Sequence, residues 1–109
     1  MKLHLIFLIS LFLHASPAFA KSEELEGTCI VFLARMAAVL EQSGDIPSAQ
    51  ILLKIVEYTG NEFNRKYTTN LGTYKNHGLL LFHEACETND IEKCIQTREY
   101  CAGVLSETK

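Results

Sequence analysis

The sequence predicts an all-α fold: two helical hairpins forming a small four-helix domain, stapled by disulfides, after a cleaved signal peptide. Three observations carry that class. Apolar residues recur at steps of three and four through most of the chain. All four cysteines lie beyond residue 20, an even count behind an export signal, which suits an oxidising compartment. The segment Gly44-Asp45-Ile46-Pro47-Ser48-Ala49 is echoed 45 residues later by Asn89-Asp90-Ile91-Glu92-Lys93-Cys94, so a turn from a longer helix into a shorter one occurs twice.

The chain opens on Lys2, an apolar run from Leu3 to Leu13, and Ala18-Phe19-Ala20 before Lys21. A positive start, an apolar stretch and an A-x-A site make a secretory signal peptide. The run is far shorter than the ~20 apolar residues a spanning helix needs. The expected organisation is residues 1–20 as signal peptide and 21–109 as a single helical domain of 89 residues. No cysteine follows the cleavage site to carry a lipid, so no stable membrane anchor is expected after processing. The expected destination is periplasmic or secreted. Loss of Lys2 leaves 9 basic against 13 acidic residues, a net charge of −4. That balance argues against nucleic-acid binding, which relies on basic surface. A core of this size is marginal alone, and disulfides compensate.

The first helix is expected over Ser22–Ser43, with Ser22 as N-cap, Glu23, Glu24 and Glu26 at the positive end of the dipole, and Gly44 after the last turn. Leu25, Cys29, Phe32, Leu33, Met36, Ala37 and Leu40 form its core stripe. The opposite side, Gly27, Val31, Ala34 and Ala38, is also small or apolar, which makes this helix central or packed on two sides. The second helix starts after Asp45, tolerates Pro47 in its first turn, and is expected to stop at Gly60. Its core stripe is Ile46, Ala49, Leu52, Leu53 and Val56, with a second stripe of Ile51, Ile55 and Tyr58. Phe63, Tyr67, Leu71, Tyr74, Gly78, Leu81 and Ala85 keep helical steps, predicting a long third helix from near Asn61 to Thr88, in preference to a loop over 60–78. The fourth runs from Asp90 to about Leu105 with Asn89 or Asp90 as cap, Asn89 with Glu92 resembling a capping box. Ile91, Cys94, Ile95, Cys101, Val104 and Leu105 are its expected core.

Cys86 and Cys94 lie symmetrically about the Thr88-Asn89-Asp90 turn, so their thiols face each other across a helical hairpin. Cys101 then pairs with Cys29, near the start of the first helix and at the same end of an up-down-up-down bundle.

Around the first turn, Ala37, Gly44, Asp45, Ala49 and Leu53 stand where a tetratricopeptide repeat places its small, turn and packing residues. The first hairpin resembles one such repeat, with departures at Leu33 and Leu40, where aromatics belong, and at Asn61, where the terminal proline belongs. The resemblance implies helix-turn-helix geometry and a binding role.

Nothing in the sequence points to catalysis. His83-Glu84-Ala85-Cys86-Glu87 falls one histidine short of a zinc-binding H-E-x-x-H, leaving His83 and Glu87 as a solvated pair on one helix face. No phosphate-binding, dinucleotide or nucleophile-elbow motif occurs. No enzyme activity, catalytic residue, metal or cofactor is expected. The expected function is binding of another protein, in the manner of an inhibitor, immunity factor, adaptor or secreted effector. The alternatives are a periplasmic chaperone or stress-protective protein and, less favoured, a small hydrolase. The surface that could meet a partner, or a second copy in a homodimer, is Ile51, Ile55 and Tyr58 with Phe63 and Tyr67, because peripheral helices of a small bundle need only one apolar stripe.

Overall fold

The computed structural model describes residues 18–106. Residues 1–17 of the expected signal peptide, and its bounding of the domain, lie outside the described residues or are not tested by them. The described residues form four α-helices: α1 (Ala18–Gln42), α2 (Ile46–Lys66), α3 (Lys75–Cys86) and α4 (Ile91–Ser106). A 3₁₀ segment, Leu71–Tyr74, joins α2 to α3. The described residues contain no strand.

The helix ends follow local chemistry. Gly44 takes φ +95°, the left-handed region in which glycine costs least. Its N–H donates to Glu41 O at 3.1 Å, and that of Asp45 donates to Leu40 O at 2.9 Å, a Schellman closure of α1. Asp45 then caps α2, its Oδ1 accepting from Ser48 N at 3.2 Å. Asp90 repeats this at α4, accepting from Lys93 N at 3.2 Å. The two turns that echo in sequence therefore share one capping device, and the cap of α4 is Asp90, without the Asn89–Glu92 box.

Other boundaries differ from expectation. Ser22 lies inside α1, which begins at Ala18. Gly60 does not end α2; a mid-helix glycine costs only ~1 kcal/mol, and continuing to Lys66 places Phe63 at full burial. The expected long third helix is broken. Tyr67–Asn70 interrupts it, and Asn70 Oδ1 accepts from Gly72 N at 2.7 Å to start the 3₁₀ segment. The break lets Tyr67 and Tyr74 both pack against Phe63, with ring centroids 4.8 and 6.2 Å away.

The arrangement is centred on α1, which packs against all three other helices. α3 and α4 also pack on each other, whereas α2 rests on α1 and the 3₁₀ segment and makes at most marginal contact with α3 and α4. The core is five residues of the predicted stripe of α1 (Cys29, Phe32, Leu33, Met36, Ala37; Leu25 and Leu40 are half-buried), Ile30, which lies outside that stripe, and Ala49, Phe63, Phe82, Ala85, Cys101 and Leu105. The small side of α1 is the close crossing with α3: Gly78 lies against Val31 and the carbonyl of Thr28, and Gly27 against the ring of Tyr74. Both expected disulfides are formed, Cys29–Cys101 and Cys86–Cys94.

Four residues expected in the core are exposed: Ile46 and Leu53 on α2, and Ile91 and Ile95 on α4. The cause is the missing contact between those two helices. Each is covered only on the side that meets α1 or α3, so apolar residues beyond that arc stay in solvent.

Candidate functional site

α2 and α4 run in the same direction. Lys66 at the end of α2 meets Glu26 near the start of α1, so α2 is antiparallel to α1. Cys101 is bonded to Cys29 while Glu87, just before α4, lies 3.9 Å from Arg35, so α4 is antiparallel to α1 as well. Between these two helices a groove of about 330 Å³ opens over α1.

Leu33 and Leu40 of α1 form its floor. Seven residues apart, they span about 10 Å, two helical turns. On the α2 side the wall is Ser48, Ile51, Leu52 and Ile55. Ile51 and Ile55, four residues apart, present one edge of that helix. On the α4 side the wall is Arg98, Glu99 and Ala102. Ile91 and Ile95 precede Arg98 and Ala102 at steps of four, three and four, but both lie outside the lining. The disulfide at Cys101 fixes this wall beside the floor, since Cys29 is one turn from Leu33 on α1.

The residues singled out from sequence divide here. Ile51 is 63% exposed and Ile55 is half-buried; both line the groove. Tyr58 is exposed on the same edge of α2, one turn beyond Ile55 and outside the lining. Phe63 is withdrawn from the surface: it is fully buried against Tyr67 and Tyr74. Tyr67 is half-buried, and its hydroxyl donates to Glu26 Oε2 at 3.2 Å. It too belongs to the interior. Arg98, Glu99 and Ala102 were not singled out by sequence. Their signal was a second stripe on α4 beside the one carrying the cysteines.

A polar cluster holds the far end of α1. Glu26 is buried; Lys66 Nζ lies 3.0 Å from its Oε1 and donates to Oε2 at 3.2 Å. The Tyr74 hydroxyl donates to Glu23 Oε2 at 2.7 Å. Hydrogen bonds from Thr69 and Tyr74 hold the Glu23 carboxyl below its ordinary value. The same bond to Glu23 pushes Tyr74 up to about 12. On α2, Arg65 pairs with Glu62 and lowers that carboxyl. Phe63, Tyr67 and Tyr74, with Lys66 on Glu26, thus hold α2 and the 3₁₀ segment to α1. His83 Nδ1 lies 2.7 Å from Glu87 Oε1 on the exposed face of α3. Among the described residues no three His, Cys, Asp or Glu side chains gather as a metal site.

The molecule is therefore an all-helical, doubly disulfide-bonded protein with an apolar groove beside its central helix. No protein-family model, curated protein or solved structure matches the chain.

Proposed function

We propose that the protein is exported and acts by binding another protein, without catalysis, through the groove between α2 and α4. The exposure of Ile51 at the mouth of that groove carries the reading. Apolar side chains grouped in a concavity mark interaction surfaces more than chance exposure does. Export rests on the signal-like residues 1–20. Two disulfides and the absence, among the described residues, of any helix long and apolar enough to cross a membrane agree with a periplasmic or extracellular setting. Cleavage after Ala20 would place Glu23 and Glu24 in the first turn of α1, where carboxylates favour the helix dipole.

The test uses the oxidised chain from Lys21 onward, wild type and Ile51→Asp, as bait in extract of the source. Wild type is expected to retain a small set of proteins in stoichiometric amount. The variant loses them while its thermal midpoint stays within a few degrees, as expected for a surface substitution. Retention of the same set by both proteins rejects the groove. A second reading, a chaperone, is favoured by Leu80, which is 55% exposed on α3 away from the groove. It predicts weak binding of many unfolded clients, insensitive to Ile51→Asp.

A further inference from the structure

We propose that the occupant of the groove is a single amphipathic α-helix of another protein, with a carboxylate beside its apolar stripe for Arg98 and a basic residue for Glu99. This deepens the protein-binding reading and rests on it. At the floor Leu40 is half-buried and open to contact, while Leu33 is fully buried. Both walls are helices running the same way; the α2 wall offers Ile51 and Ile55, four apart, and the α4 wall offers Ala102 beside Arg98 and Glu99. A slot between two such helices over a third is the shape that receives a helix by its i, i+3/i+4, i+7 residues.

Charge selects the kind of helix. Arg98 and Glu99 are adjacent and exposed on the α4 wall, and neither makes a side-chain hydrogen bond or ion pair among the described residues. A guanidinium at the edge of an apolar contact is a favoured anchor for a carboxylate. A helix can present an acid to Arg98 and a base to Glu99 from successive turns. An acyl chain brings one carboxylate and leaves Glu99 facing it with like charge. A groove of about 330 Å³ is also a poor match for a second copy, whose symmetric interface would have to supply about 600 Å² from each partner.

The probe is a phage-displayed library of helical peptides, selected on the oxidised chain from Lys21 onward. Enriched peptides are expected to carry an apolar stripe at i, i+3/i+4, i+7 with an acid on one flank and a base on the other. Affinity of the best peptide should fall about 100-fold with Ile51→Asp. It should fall about tenfold with Arg98→Glu and return when the peptide's acid is replaced by lysine. Binding indifferent to Ile51→Asp, or no recovery on the charge swap, overturns the proposal. So does displacement of the peptide by dodecanoate at equal concentration, or a dimer in sedimentation that Ile51→Asp dissolves. If the library yields no binder while native capture still depends on Ile51, the helical occupant is wrong and protein binding stands. If native capture is also indifferent to Ile51, both fall.

Discussion

Two glycines inside helices, Gly78 and Gly60, should respond oppositely to the same substitution. A Cβ on Gly78 would overlap the Val31 side chain and come 2.9 Å from Thr28 O on the facing helix. The neighbour on that side is backbone, which cannot swing away, so α1 and α3 must separate. Gly78→Ala is expected to cost about 1–3 kcal/mol, the range for overpacking. Gly60 lies within α2, where an added Cβ would meet nothing within 4 Å. Gly60→Ala should gain about 0.5–1 kcal/mol from helix propensity alone. Urea unfolding followed by circular dichroism, with disulfides intact, reads both. Stabilisation by both substitutions would refute the close α1–α3 crossing.

At the scale of an element, the connection between α2 and α3 depends on α1 for its position. Its 3₁₀ segment is only four residues long, too short to hold itself. The Tyr74–Glu23 bond ties it down and sets a pH window. The Glu23 carboxyl is lowered from 4.5 on folding, so its contribution is complete above that pH and is lost as pH falls through the folded value. The Tyr74 hydroxyl is raised from 10.0 to about 12, so its contribution is complete below pH 10.0 and is lost as pH climbs toward 12. Tyr74→Phe should therefore lower the thermal midpoint most between these limits and progressively less as pH falls below 4.5. An equal difference between wild type and Tyr74→Phe at pH 3 and pH 7 would show that the bond is not the cause.

For the whole molecule, the two disulfides should contribute unequally. Cys29–Cys101 closes 72 residues and Cys86–Cys94 closes 8. The loop-entropy relation gives about 4 kcal/mol for the first and about 2.5 kcal/mol for the second. The larger bond also ties α4 directly to α1. Cys29→Ala with Cys101→Ala should lower stability more than Cys86→Ala with Cys94→Ala. It should also weaken peptide binding in the groove, whose α4 wall it positions. Peptide affinity unchanged in a folded Cys29/Cys101 double variant would separate the groove from the disulfide.

The sequence alone determined the helical class, the central place of α1 and both cysteine pairings. The first two and the Cys86–Cys94 pairing are written in spacings that local geometry converts directly: the apolar stripe from Cys29 to Leu40, the small residues opposite it, and two thiols symmetric about a turn; Cys29–Cys101 followed by elimination and from the up-down-up-down order of the helices. The start of α2 after Asp45 was legible for the same reason, and that of α4 to within the choice of Asn89 or Asp90, since capping involves only residues three apart. Tertiary packing decided the rest. Gly60 and the run from Phe63 to Ala85 fit more than one helix boundary, and the pull of Phe63, Tyr67 and Tyr74 into one cluster chose among them. Glu26 reads as a helix-dipole residue until Lys66 and Tyr67, forty residues away, bury it. Half of the groove was visible as the spare stripe of α2. Its other half needed α4 to stand across the slot from it. Periodicity names the faces of a helix; which face meets another helix depends on contacts between residues far apart in the chain.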